Sequence, residues 1–251
     1  MLTLRPFLRS NGDTGSAFLD RLATSYESAV LSMSQAHWEQ KVYRFGLTGH
    51  KSVLDLGCGP GQWLRILAEH NGDVVGTDIE RIPLEMALQT VKDSHHIDLT
   101  QARAESLCFL AQTFDAVLCY SVLTYTNHES TLREINRVTK PGGKVIVGLA
   151  GMGYYLKHVV EGVRYRNLAA VRYGLDPILT YWAQSLLGRR SQAITYWTRR
   201  RITRLLKDNG FDVVRTIAER KDSSWPDTFL GAYFFFCVEA IRGKPLKCPS
   251  R

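Results

Sequence analysis

The chain has 251 residues, enough for one sizeable domain or two small ones. Hydrophobic residues make up 45% and charged residues 22%, the proportions of an ordinary globular protein rather than a disordered or fibrous one. The net charge of +8 is uneven: residues 151–204 hold ten Lys and Arg against Glu161 and Asp176, an excess equal to the whole net charge.

Several classes are excluded early. Arg5 and Arg9 have no apolar run behind them, which argues against a secretory signal. The most apolar run, 232–238, is far too short to span a bilayer. Cys58, Cys108, Cys119, Cys237 and Cys248 are odd in number, scattered and without histidines at zinc spacing; they read as free thiols of a reducing cytoplasm, and no metal is expected.

In chain order, 16–45 reads as helical, with Phe18, Leu19, Leu22, Tyr26, Val30 and Met33 at helical spacing and a break near Ser34. A second helix over 37–45 places Trp38, Val42 and Phe45 on one face, stopped by Gly46 and Gly49. A strand over 52–56 leads into Gly57-Cys58-Gly59-Pro60-Gly61, and a helix begins near Gln62. A second strand, 74–77, ends at Asp78, and Pro83 sits where the first turn of the next helix tolerates it. Strands follow over 96–104, 114–119 and 144–150, with a helix over 131–138 ended by Pro141-Gly142-Gly143.

This alternation predicts an α/β fold, a parallel sheet with helices on both faces. Residues 151–191 are rich in Tyr, Trp and Arg and read as mostly helical. A helix over 199–209 ends at Gly210, 211–217 and 232–240 read as a closing pair of strands on one sheet edge, and 243–251 as a disordered tail.

The chemistry concentrates in Val53-Leu54-Asp55-Leu56-Gly57-Cys58-Gly59-Pro60-Gly61. Glycines allow positive φ and leave no Cβ between backbone and ligand, and the following helix offers unpaired N–H groups. The glycines are one residue tighter than in a dinucleotide loop. Asp55 stands where a pyrophosphate would be repelled but the ammonium of an amino-acid ligand would be welcome. Asp78, 21 residues after Gly57, is placed to accept hydrogen bonds from a ribose diol.

This bend, Asp78, Phe114-Asp115-Ala116-Val117-Leu118 and Lys140-Pro141-Gly142-Gly143-Lys144 together resemble the class I S-adenosylmethionine-dependent methyltransferases, above all the small-molecule branch that includes quinone-biosynthesis enzymes. The resemblance is good over residues 50–150 and loose over the closing strands. It implies a Rossmann-like, seven-stranded, mostly parallel sheet with an antiparallel closing strand. A single methyltransferase domain over 1–251 is expected, with N-terminal helices over 1–49, and the aromatic-rich, basic stretch is expected to form a helical lid inserted at 151–198.

The cofactor implied is S-adenosyl-L-methionine. Asp55, Gly57 and Gly59 would hold its methionine end, with Cys58 and Gly61 completing the bend. Asp78 would take the ribose, Ile79 and Ala104-Glu105 the adenine, and Tyr120 and Ser121 would border the sulfonium. Tyr125, where relatives often carry histidine, and His128 are the candidates for a catalytic group.

The fourth strand ends Cys119-Tyr120-Ser121-Val122, without the Asx-Pro-Pro-aromatic signature of enzymes acting on amino groups of bases. A small-molecule acceptor methylated on oxygen or nitrogen is therefore expected ahead of RNA or a non-enzymatic binding role. The aromatic residues of the insertion point to an acceptor with apolar or planar surface. Its arginines point to an anionic group on that acceptor or to an anionic membrane surface.

Overall fold

The computed structural model describes residues 34–92, 94, 96–187, 196–219, 228–229 and 232–243. The helix expected over 16–33 and most of the tail expected after 243 lie outside them. In chain order the helices are α1 (Gln35–Phe45), α2 (Leu64–His70), α3 (Arg81–Val91), α4 (His128–Val138), α5 (Met152–Arg164), α6 (Leu168–Leu187) and α7 (Arg199–Asp208). The strands are β1 (Ser52–Leu56), β2 (Asp73–Asp78), β3 (Ile97–Gln101), β4 (Phe114–Tyr120), β5 (Thr139–Ala150), β6 (Phe211–Glu219), β7 (Thr228–Phe229), β8 (Ala232–Tyr233) and β9 (Phe235–Arg242). A single 3₁₀ turn spans Leu123–Tyr125.

Seven strands form one sheet in the order β3-β2-β1-β4-β5-β9-β6. The first five are parallel, and β9 alone runs antiparallel, inserted between β5 and β6. This is the mostly parallel sheet with an antiparallel closing strand that the resemblance implied. The central strands are buried on both faces, as Val53–Leu56 and Ala116–Cys119 show.

The core divides at the sheet. On one side Trp38, Val42 and Phe45 of α1 pack with Trp63, Leu64 and Leu67; on the other Leu132, Ile135 and Val138 of α4 pack with Ile202 and Leu206 of α7 and with Trp197. Burying each such side chain contributes about 1.5–3 kcal/mol.

Local chemistry sets the element ends. Ser34 caps α1, its Oγ accepting from the His37 N–H, and Gly46 closes the helix at φ 62°. Since α1 precedes β1 and returns to it through a short loop, it runs antiparallel to the strand. Its first turns therefore lie at the carboxyl edge of the sheet.

The amino edge is held by a clamp built from two of the recognised motifs. Asp115 accepts from the Ser52 N–H (3.0 Å), the Ser52 hydroxyl (2.9 Å) and the Lys140 ammonium (2.9 Å). Burial alone would raise its carboxyl, but the bonds from Lys140 and Ser52 outweigh that and hold it below the ordinary value. Lys140, Pro141 and the glycines do not end the helix before a separate strand, as the sequence implied; they lie within β5, which begins at Thr139 and shifts register between Phe114 and Ala116. A Cβ on Gly143 would come within 2.8 Å of the Lys140 carbonyl and 3.0 Å of that of Asp115, so the kink admits only glycine. The helix after the glycine bend likewise starts at Leu64 rather than Gln62, and β3 is shorter than expected.

The segment after β5 forms a helical hairpin. α5 and α6 approach closely because Gly162 meets Val171 and Gly174 meets Tyr155 with no room for a Cβ. The excursion closes on itself: Gly151 pairs with Trp197, whose N–H reaches the Ala150 carbonyl at 3.2 Å.

Asp115→Ala strips three hydrogen bonds from the amino edge and should lower unfolding free energy by about 1–3 kcal/mol, read by urea denaturation. The same titration on the parent protein should show this contribution present above pH 4 and lost as pH falls through the depressed native pKa, because the unfolded state binds the proton first.

Candidate cofactor and acceptor site

Parallel register carries the candidate residues to one edge. Asp55 is opposite Gly76 of β2 and Leu118 of β4, in the middle of the sheet, and is fully buried. Its Oδ2 has no hydrogen-bond partner. Burial first, and the neighbouring Asp78 second, raise its pKa to about 8.

Beyond it the chain bends through Gly57, Gly59 and Gly61, with φ of 73°, 54° and 88°. The Gly57 and Cys58 N–H groups both donate to the Thr77 carbonyl, at 2.7 and 2.8 Å, and bind the bend to the end of β2. A Cβ on Gly57 would lie 2.1 Å from Val122 Cγ2, so the loop after β1 and the loop after β4 touch at a glycine. The Cys58 side chain is buried, and burial holds its thiol protonated well above the ordinary range; it fills space.

Asp78 closes the other side. One carboxylate oxygen accepts from the Gly59 N–H and the other from the Glu80 N–H, both at 3.0 Å. Glu80, not Asp78, is the N-cap of α3. Ile79 leaves 45% of its surface uncovered beside it. Ala104 and Glu105 form the tip of a turn in which the Ser106 N–H meets the Arg103 carbonyl. Glu105 accepts from the Asn127 N–H at 3.0 Å, and Asn127 in turn caps α4 through Ser130.

Ser121 adopts φ 65°, a left-handed conformation rare for a residue with a Cβ, and its N–H donates to Gly148. The strain turns the chain sharply at the end of β4, so that Val122 reaches Gly57. The ring of Tyr120, expected with Ser121 at the sulfonium, lies on the same face of the sheet as Asp55, which is opposite Leu118. Strand alternation places it on the α1 side, stacked on Phe235 at 5.2 Å, with its hydroxyl donating to Glu219.

There it joins residues the sequence did not single out. The Lys41 ammonium lies 3.3 Å from the Tyr120 hydroxyl and 3.4 Å from Glu219, over the rings of Trp38, Trp63 and Tyr120. Glu219 is buried, and this ion pair ties α1, β4 and β6 together at the carboxyl edge.

The two catalytic candidates part company. Tyr125 is in the 3₁₀ turn that follows Ser121, 37% exposed and close enough to Tyr155 to add, after burial and Tyr173, to the upward shift of that buried phenol's pKa. Tyr154, Tyr155, His158 and Tyr173 continue the aromatic surface along α5 and α6, ring edge against ring face at 4.8–5.2 Å for Tyr154–Tyr155, Tyr154–His158 and His158–Tyr173.

His128 packs edge-on against Trp197 at 4.7 Å, and burial, then Arg201, lower its pKa to about 4. Such a ring is too weakly basic near neutrality to serve as a good proton acceptor, which argues against the role expected for it. Trp197, half of that packing, donates its indole N–H to Thr124 at 3.0 Å and fixes the turn that carries Tyr125.

Residues 54–147 match the family described as a methyltransferase domain. The chain is 28% identical to the uncharacterized protein MJ1252 of Methanocaldococcus jannaschii, over 85% of this chain and 82% of that one. It is 32% identical to the demethylmenaquinone methyltransferase of Staphylococcus saprophyticus, but over 43% of this chain and 49% of that enzyme, so the chain spans about half the length of that relative. Its fold is similar to a SAM-dependent methyltransferase from Aquifex aeolicus, with a TM-score of 0.57, 16% identity, and 82% and 89% of the two chains covered.

The cofactor implied fits this edge. The orphaned oxygen of Asp55 lacks what an ammonium would supply, and the bend is open at Gly59, where a Cβ would meet only Gln62 Oε1 at 3.7 Å. Because an ammonium favours ionised Asp55, binding of S-adenosylhomocysteine should release a proton near neutral pH. Affinity should then rise up to about tenfold per pH unit between roughly pH 6 and 7.5. Calorimetry in two buffers of different ionisation enthalpy reads both, and Asp55→Asn should abolish the proton release. Gly57→Val should weaken binding at least tenfold, as roughly 1.4 kcal/mol of misfit in the bend would require.

Proposed function

We propose, on the premise that this chain is a class I S-adenosylmethionine-dependent methyltransferase, that it methylates an oxygen or nitrogen of a small molecule with apolar or planar surface and an anionic group. The observation that carries this is the aromatic surface of Tyr125, Tyr154, Tyr155, His158 and Tyr173, which begins one turn beyond Ser121. The name of the Staphylococcus relative, a demethylmenaquinone methyltransferase, is consistent with an acceptor of that kind.

When bound, the cofactor supplies a methyl group already activated on a positive sulfur. The remaining work is alignment in a place that excludes water. In this reading Asp55 holds the ammonium, Gly57 and Gly59 approach the methionine portion with bare backbone, and Asp78 holds the ribose. Ile79 and Ala104-Glu105 flank the adenine, and Ser121 lies beside the reacting end. Tyr125 orients the acceptor and takes part in removing its proton where the acceptor has one to lose.

The hairpin of α5 and α6 closes over the acceptor as a lid. The proposal fits its origin at Gly151, where β5 reaches the carboxyl edge. The arginines of the insertion would meet the acceptor's anionic group or an anionic membrane surface, and the free cysteines at 58, 108, 119 and 237 agree with a reducing cytoplasm.

Assaying methyl transfer across a panel of planar phenols, quinols and aromatic amines bearing carboxylates should find a turned-over acceptor. Tyr125→Phe should then lower kcat by about 10²-fold or more while S-adenosylhomocysteine affinity stays within about twofold. Replacing residues 153–195 by a short Gly-Ser link, which the adjacency of Gly151 and Trp197 permits, should leave cofactor binding intact and abolish turnover. Unchanged turnover would refute the lid, and RNA binding with steep salt dependence would move the acceptor to a macromolecule.

A further inference from the structure

The α5–α6 hairpin has two faces, and only one looks inward. On α6 the buried row is Ala170, Gly174 and Pro177, which packs toward α5 or the body of the protein. About half a helical turn away, at 100° per residue, runs a second row: Leu168, Arg172, Leu175, Leu179 and Trp182. All five are exposed, Leu168 by 83% and Leu179 by 59%. On α5 the exposed Val160 and Val163 stand well round from the buried Tyr155 and Gly162. Between the helices, residues 163–168 form an unbroken exposed tip of Val163, Arg164, Tyr165, Arg166, Asn167 and Leu168.

Exposed leucines at helical spacing are costly in water unless something covers them. The chemistry at the tip indicates what that is. Arg164 lies 5.6 Å over the Tyr165 ring, and neither Arg164 nor Arg166 makes an ion pair among the described residues. Two guanidiniums without acidic partners flank an aromatic ring and aliphatic side chains, on a helix pair too short and polar to cross a bilayer. That is the composition of an element lying in the headgroup layer, with leucines below it and arginines at phosphate depth. A protein partner would have to meet the same guanidiniums with carboxylates in fixed places, whereas an anionic lipid surface meets them with mobile ones.

We propose that the outer face of the α5–α6 hairpin docks this protein on an anionic lipid surface, tip first through Val163, Arg164, Tyr165, Arg166 and Leu168. The inference deepens the reading above, since it makes the lid also the membrane contact and gives an apolar acceptor a path from lipid to site. It does not need methyl transfer to be tested.

The full-length protein is floated with phosphatidylcholine vesicles and with vesicles containing about 30% phosphatidylglycerol, at low and at physiological salt. Capture by the anionic vesicles alone, weakening as salt rises, is the expected result. Arg164→Gln with Arg166→Gln should weaken capture about tenfold, and Val163→Glu with Leu168→Glu should abolish it at either salt. Both double variants should keep the parent's circular dichroism and S-adenosylhomocysteine affinity, so a lost cofactor site and a lost docking face read differently. Failure of the anionic vesicles to capture the parent overturns the proposal, as does full capture of the Val163 and Leu168 variant. So does a dimer in solution that Leu168→Glu dissociates without any vesicle binding by the parent.

Discussion

A carboxyl group that the fold buries and leaves half satisfied, Asp55, is the constraint around which the rest is arranged. A sheet can hold such a group only where strands on both sides already supply its walls, and β2 and β4 do so at Gly76 and Leu118. Its neighbour Asp78 raises the electrostatic cost of ionising it, yet both of that residue's oxygens are engaged by the backbone N–H groups of Gly59 and Glu80. The pair is thus unequal. Asp78 is a satisfied acid at the surface of the bend, and Asp55 is an unsatisfied one beneath it. Such a buried group costs stability, which marks Asp55 as a candidate for ligand binding.

The recognised motifs serve opposite ends of the sheet. Asp55, the glycines and Asp78 stand at the carboxyl edge, where α/β sheets bind ligands. Asp115, Lys140 and Gly143 stand at the amino edge and keep β1, β4 and β5 in register. The second group cannot touch a ligand at the first, but it positions it. A slip between β1 and β4 would move Asp55 relative to Ser121 and separate Gly57 from Val122. Lys144 and Arg215 extend the same function outward, pairing with the buried Glu239 at 3.0 and 2.6 Å across β5, β9 and β6.

What the sequence made legible follows from range. The strand and bend around Asp55 occupy nine consecutive residues, and their spacing carries the geometry by itself. The closing strands were readable as a pair because each is rich in aromatic and β-branched residues and follows a glycine or a turn. The cluster of Lys41, Tyr120 and Glu219 was not readable, since its members lie 79 and 178 residues apart and each alone resembles a solvated residue. His128 was a candidate catalytic group in the sequence, and only the fold shows that Trp197, distant in sequence, takes its ring.

Trp197 also explains how an insertion of this size can be carried without disturbing the sheet. Its backbone returns the chain to Ala150 and Gly151, so the hairpin leaves and rejoins at one point of β5. Its indole holds Thr124, in the same 3₁₀ turn as Tyr125, and its ring receives His128 at the start of α4. The hairpin is thus tied through Trp197 to the turn that carries Tyr125, and at its start Gly151 and Gly153 pack against Ala232 and Tyr233. Asp55 and Asp78 belong to the strands and their ends, whereas Tyr125 is in a turn tied through Thr124 and Trp197 to the point where the hairpin leaves the sheet, so the two groups of residues are held by different parts of the fold.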